Sequence, residues 1–368
     1  MGEREPARRA SYEASPNIAL VKYWGVRDTA LGLPYNSSFS VTLDRLKTRT
    51  TVTFEPDRTE DELLLNGEVG APAATAAVGR FLDRVRAMAS LPWRATVRST
   101  NNFQTASGLA SSASGFAALA GAAAAASGLD LPPSEISRLA RFGSGSACRS
   151  TYGGFVRWHA GSLPDGSDCR AEPVLPAEHW PELVDLVALV ANAPTKGVRS
   201  ALAMQTTVET SPQYTRRLEE VPARLEAIEA AIRRRSAEEL FPLVIEECDS
   251  FRNVCESTEP SLDYLTATSR RILGAVRELN RTSGRPMAGY THDAGAHVHV
   301  FTLEEDLPKL RASLRKVEGI SRFLALKPGP GGRLVSGPPT GQRLVARRRG
   351  TARALPRRAR AARAGPGK

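Results

Sequence analysis

Polar and apolar positions alternate from Thr48 to Phe54 in a stretch rich in β-branched side chains, and that two-residue period predicts a strand with one buried face. Three leucines, Leu63 to Leu65, then run into Asn66-Gly67-Glu68, the signal of a tight hairpin. A helix is expected from about Ala77 to Ala89 and a strand across Trp93 to Thr100, so that sheet and helix interleave. Ser112 to Ser127 is dominated by alanine, the strongest helix former, and Gly128 stops it where a left-handed cap costs little. Side chains this small let a helix pack very close to its neighbours. Pro132-Pro133-Ser134 restarts a helix to about Arg141, with Ser134 as the expected N-cap.

Leu183 to Val190 is a short apolar run that fits a buried strand, and a domain boundary is placed beside it. Helical patterns follow at about Gln213 to Arg235 and Ser261 to Asn280, then strands near Met287 to Tyr290 and Val298 to Thr302. The second half is therefore expected to be α+β. The division expected is residues 1–182, residues 183–335 and a basic tail, residues 336–368. In the tail the pattern dissolves into Gly, Pro and Arg, too little apolar surface to offset chain entropy.

With 368 residues the chain can hold two cores of ordinary size, which excludes a single small binding module. No run approaches the roughly eighteen apolar residues of a membrane span, and Met1 to Arg9 lead into no signal-like apolar stretch. A cytoplasmic protein with no membrane partner is expected. The net charge is +11, but the tail from Ser336 onward holds nine arginines and one lysine with no acid, which leaves about +1 for the rest. Its basicity therefore does not mark the folded body as a nucleic-acid binder. Cys148, Cys169, Cys248 and Cys255 match neither a zinc site nor a redox pair and are expected to be reduced bystanders.

Four polar stretches carry candidate chemistry. Asn17 to Gly25 sets Lys22 beside Tyr23, Trp24 and Gly25, which suits a small anion but equally a core strand with a snorkelling lysine. Thr105 to Ala113 is a small-residue loop opening straight into the alanine helix, where free N–H groups and the helix dipole favour phosphate; it lacks the Gly-Lys-Ser/Thr ending of a Walker A loop. Gly143 to Ser150 offers hydroxyls, backbone donors and the guanidinium of Arg149, whose planar fork matches a carboxylate. Tyr290 to Gly295 presents Asp293 at a strand end, where it can orient or deprotonate a hydroxyl or simply close a turn. His292, His297 and His299 have no nearby cysteine or second acid to complete a zinc site.

Taken together these stretches, with Asn36-Ser37-Ser38 and Ser40-Val41-Thr42-Leu43, resemble the mevalonate diphosphate decarboxylases of the GHMP kinase superfamily from about Pro16 to Leu334. The resemblance implies a two-domain α+β GHMP kinase fold, a ribosomal-protein-S5-like N-terminal domain followed by a ferredoxin-like C-terminal one. It implies an ATP-dependent carboxy-lyase of isoprenoid biosynthesis, using Mg2+ and acting as a homodimer. It further implies that Asp293 acts on the C3 hydroxyl of the substrate and that Arg149 holds its carboxylate, with Lys22 and Asn17 in support. Tyr23, Trp24, Gly25, Ser144, Gly145 and Ser146 would line the substrate pocket. Ser107, Gly108, Leu109, Ala110, Ser111 and Ser112 would hold the ATP phosphates, with Ser112 at the metal.

Some positions depart from the family pattern. Val26 stands where relatives carry a phosphate-binding lysine, and Ala77 falls where the eukaryotic enzymes supply an arginine. A 5-phosphate substrate, a simple mevalonate 3-kinase and an inactive binding protein are the alternatives to mevalonate 5-diphosphate turnover. Gln104, His292, Ala296 and His297 also differ, flanking the motifs without removing Asp293, Arg149 or Lys22.

Overall fold

The computed structural model describes residues 6–103, 111–193 and 200–336. A six-stranded sheet is ordered Arg333–Ser336, Arg8–Ala14, Thr48–Glu55, Arg94–Asn101, Glu62–Leu65, Glu68–Val69. Its pairs are antiparallel except Glu62–Leu65 beside Arg94–Asn101. Thr48–Glu55 alternates buried with more exposed positions, as its sequence period requires. Leu65 pairs with Glu68 across Asn66 and Gly67, both at positive φ, the conformation that an Asn-Gly hairpin turn needs.

The alanine helix, Ser111–Ala126, lies against this sheet. Its small residues have a visible purpose at Gly121, where an added Cβ would stand 2.3 Å from the Tyr12 ring. Helix and strand approach too closely there for any side chain. The following helix is Pro133–Arg141, with Pro132 at the N-cap and no side-chain capping bond. Ser134 therefore does not cap it, because the fixed φ of Pro133 suits the first helical position and moves the start two residues earlier. For the same reason the helix expected from Ala77 begins at Pro72 and runs to Ala89.

A second sheet is ordered Ala171–Leu175, Phe155–Trp158, Ser38–Thr42, Asn17–Val21, all antiparallel. A third is ordered Ala288–Thr291, Val298–Leu303, Leu183–Val190, Ile320–Leu326, also antiparallel. Helices Tyr214–Arg233 and Ala237–Glu256 share one core with Ile18, Leu20, Phe39 and Val41 of the second sheet and Leu183, Val187 and Phe301 of the third. Helices Ala267–Ser283 and Leu307–Leu314 cover the opposite face of the third sheet. Leu183–Val190 is buried on both faces, which is why it reads as a continuous apolar run.

Two helices were not legible as separate elements, Ser200–Thr210 and Ala237–Glu256. Ala237–Glu256 carries Pro242 near its start, which breaks the periodic reading, although Ser236 followed by Glu239 has the spacing of a capping box. The helix expected from Ser261 begins later, as Ala267–Ser283, capped by Thr266 and ended by Gly284 in the left-handed conformation. Arg333–Ser336 is a strand that returns to the first sheet, held by an Arg333–Glu13 ion pair at 3.0 Å, so ordered structure reaches Ser336. The tail beyond it lies outside the described residues.

Candidate active site

The strand Asn17–Val21 is buried along its whole length and ends at a cavity of about 570 Å³. Asn17, Lys22, Tyr23, Trp24, Ser112, Ser144, Gly145, Ser146, Arg149 and Asp293 line it. They arrive from the second sheet, from the start of the alanine helix, from the 3-10 turn Gly145–Thr151 and from the loop after the strand Ala288–Thr291. Residues far apart in sequence thus face one volume.

Asn17 and Arg149 form a locked pair. The Asn17 amide nitrogen donates to Ser150 Oγ at 2.7 Å and to the Ser146 carbonyl at 3.1 Å, and its oxygen accepts Arg149 Nε at 3.1 Å. Arg149 Nη1 donates to Ser38 Oγ at 2.6 Å. Nη2 hydrogen-bonds no group among the described residues, so one edge of a fixed guanidinium remains for a ligand. Burial lowers the Arg149 pKa more than the nearby Asp293 carboxylate raises it, leaving it at about 10, so it stays charged at neutral pH.

Lys22 Nζ donates to Asp293 Oδ1 at 2.8 Å, the lysine side chain 4% exposed and the carboxylate 26%. The pair joins the end of the second sheet to a loop of the third. Asp293 is thereby held next to a cation.

Past Val21 the chain leaves the sheet, and side chains of the helical layer and of Asn36 take over its backbone partners. Glu247 Oε1 accepts the Lys22 N–H at 2.9 Å, and Asn36 Nδ2 donates to the Lys22 carbonyl at 2.9 Å. Tyr214 Oη donates to the Trp24 carbonyl at 2.9 Å, while Trp24 Nε1 donates to Thr207 Oγ1 at 3.0 Å. Gly25, expected against the substrate, is not among the lining residues. It sits at φ +98°, and an added Cβ would lie 1.8 Å from Tyr214 Oη, so its glycine serves this close approach.

His292, Asp293's neighbour, donates from Nδ1 to the Asp293 carbonyl at 2.8 Å and rests against Phe251. Burial pushes its pKa down from 6.5 to about 4. His297, whose Nδ1 accepts the Val190 N–H at 3.1 Å, is likewise pushed down to about 4 by burial. Both are neutral in the fold while the unfolded chain protonates them near pH 6.5, so stability is complete above that value and lost as pH falls toward 4. Each imidazole removes about 1.4 kcal/mol per pH unit. Denaturation midpoints measured from pH 6.5 to 5, above the carboxylate range, are expected to show this slope roughly halved in a His292→Met protein. An unaltered slope would reject the assignment.

Cys148, in the turn between Ser146 and Arg149, is fully buried and its thiol is pushed up to about 12 by that burial, so it is no nucleophile. Ser111 opens the alanine helix without lining the cavity, whereas Ser112 does line it. Ser107, Gly108, Leu109 and Ala110 lie outside the described residues. The helix start beside Ser112 fits a phosphate group through the N–H groups and dipole of its first turn. Among the described residues no three His, Cys, Asp or Glu side chains gather as a metal site.

The cavity also has walls that the motifs did not announce, among them Thr29, Phe116, Phe142, Met204 and Phe251. Apolar side chains of this kind resemble core residues in sequence, and only packing shows which of them face a cavity.

A model of the diphosphomevalonate decarboxylase-like N-terminal domain matches residues 14–171, and one of the mevalonate 5-diphosphate decarboxylase C-terminal domain matches residues 186–324. A diphosphomevalonate decarboxylase of Bos taurus is 43% identical over 331 residues, covering 86% of this chain and 82% of that protein. The structure of the mevalonate diphosphate decarboxylase from Enterococcus faecalis aligns with TM-score 0.82 and 38% identity, over 89% of this chain and 99% of that one. A structure described as MDDEF in complex with MVAPP, AMPPCP and magnesium aligns with TM-score 0.83 and 38% identity over the same shares, 89% and 99%.

Proposed function

Because the chain belongs to the diphosphomevalonate decarboxylase family, we propose that its cavity uses ATP to phosphorylate the C3 hydroxyl of mevalonate 5-diphosphate and then expels carbon dioxide. The products are isopentenyl diphosphate, ADP, phosphate and CO2. The observation that carries this reading is the Lys22–Asp293 contact at 2.8 Å within the cavity that the Arg149 guanidinium also lines. A proton acceptor and a carboxylate holder therefore face one small ligand.

In this reading Asp293 takes the C3 hydroxyl proton as that oxygen attacks the γ-phosphorus, and Lys22 keeps the carboxylate ionised until it does. Arg149 grips the substrate carboxylate and Asn17 fixes the guanidinium plane. Hydroxide is a poor leaving group, whereas phosphate departs readily. As the C3–O bond breaks, the electron pair of the C1–C2 bond becomes the C2–C3 double bond and C1 leaves as CO2. Tyr23, Trp24, Ser144, Gly145 and Ser146 wall the substrate, and residues 107–112 hold the nucleotide phosphates. ATP supplies the phosphoryl group, and Mg2+ offsets its charge.

The domains are proposed as residues 1–182 and 183–335, supported by the first two sheets drawing all but one strand from before residue 183 and the third drawing all of its strands from residue 183 onward. A cytosolic location is supported by four buried cysteines, all free. No helix of the described residues is long and apolar enough to cross a membrane. A homodimer is carried over from the family resemblance.

Release of ADP and CO2 from mevalonate, its 5-phosphate and its 5-diphosphate tests the reading. Equal ADP and CO2 are expected with the diphosphate, at a kcat/KM at least about tenfold above the monophosphate. Val26 lines the cavity as an apolar residue, so preference for the monophosphate is the outcome that would reassign the substrate. ADP without gas would mean a 3-kinase, and neither product a binding protein.

A further inference from the structure

Beneath Lys22 lies a buried ionic cluster that the reaction described above does not use. Glu247 is fully buried on the helix Ala237–Glu256, and Arg217 and Arg224 of the helix Tyr214–Arg233 are nearly so. Arg217 makes a short contact with Glu247 Oε1 through Nη2 and a 3.3 Å bond to Oε2 through Nη1, and Arg224 Nη1 reaches Oε2 at 3.0 Å. Arg217 Nη1 also donates to Ser250 Oγ at 3.1 Å, and Arg224 continues outward to Glu246 and Glu220.

What separates this cluster from an ordinary ion-pair network is the group at its inner end. Glu247 Oε1 accepts the Lys22 N–H at 2.9 Å, and Arg217 Nη2 stands 3.4 Å from the Lys22 carbonyl, which Asn36 holds from the other side at 2.9 Å. Both peptide groups of Lys22 are thus fixed by side chains, not by a strand, at the point where the chain turns from the sheet into the cavity. The same helix supplies Phe251 to the cavity wall.

We infer that Glu247 is a positioning residue for the reaction: braced by Arg217 and Arg224, its carboxylate fixes the Lys22 backbone and so aims the ammonium at Asp293. The inference rests on the roles proposed for Lys22 and Asp293. Reach and charge are separable in Glu247, because its oxygen must span to the Lys22 N–H while its charge balances two guanidinium groups. Aspartate keeps the charge and draws the oxygen back by one methylene. Glutamine keeps the reach and loses the charge.

Glu247→Asp is therefore expected to lose turnover by about 30-fold per folded molecule, with KM for both substrates within about threefold, since small displacements in a reacting constellation are costly. Glu247→Gln is expected to melt lower, because two buried cations lose their anion, yet to keep most of its kcat per folded molecule at reduced temperature. A purely structural cluster predicts the opposite order, and wild-type kcat in Glu247→Asp overturns the inference even if Glu247→Gln does not fold. Asp293→Asn in the same assay keeps the two claims apart. If it turns over normally, the site reading fails. If it is inactive while Glu247→Asp is normal, only the positioning role fails.

Discussion

Asp293→Asn and Asp293→Ala proteins are expected to turn over at least about 1,000-fold more slowly than wild type, because the change removes the group that takes the hydroxyl proton. Asparagine preserves the shape of the side chain but cannot accept a proton, so its loss separates chemistry from packing. Nucleotide affinity is expected to stay within about threefold, since residues 107–112, not the loop after Thr291, are proposed to hold the phosphates. Single-turnover ADP and CO2 release together with equilibrium nucleotide binding checks both halves. Activity within tenfold of wild type in either protein would remove Asp293 from its role. Fold stability is expected to fall as well, because the Lys22 side chain is 4% exposed and loses the carboxylate its ammonium donates to, so turnover is compared per folded molecule.

Arg149→Lys is the second large effect, with kcat/KM expected to fall by about 100-fold to 1,000-fold. Lysine keeps the charge but presents a point cation, so it cannot grip a carboxylate with parallel bonds, and hydrogen bonds to charged groups contribute roughly 1.5–3 kcal/mol each. It also forfeits the bonds to Asn17 Oδ1 and Ser38 Oγ that set the guanidinium plane. Asn17→Ala should follow in the same direction with a smaller loss, because its amide orients Arg149 without touching the reacting atoms. Comparing kcat/KM with mevalonate 5-diphosphate for the two proteins checks the order, and a lysine variant within tenfold of wild type contradicts the assigned grip.

Much of the polar half of this site could be read before any coordinates. Asn17, Lys22, Ser144 to Ser146, Arg149 and Asp293 stand in short runs whose residue types already suit an anionic hydroxy acid. The apolar half could not be read, because Phe116, Met204 and Phe251 follow the same helical spacing as core residues. Gly25 looked like a substrate contact and is instead the clearance that Tyr214 needs. Glu247 did leave a trace, since it occupies the apolar stripe of Leu240, Phe241, Val244, Cys248 and Phe251, where a charge is anomalous. Arg217 and Arg224 interrupt the stripe of Tyr214, Val221, Leu225 and Ile228 in the same way.

Local physics decided the elements that sequence alone could supply: the alternation of Thr48 to Phe54, the Asn66-Gly67 turn, the alanine helix and the buried run Leu183 to Val190 depend on neighbours within a few residues. Which strand returns to close the first sheet, which cation meets Asp293 and which helix holds the Lys22 backbone depend on contacts between residues 225 to 325 positions apart. Such contacts are set when separate amphipathic faces bury against one another, and neither periodicity nor propensity carries that information.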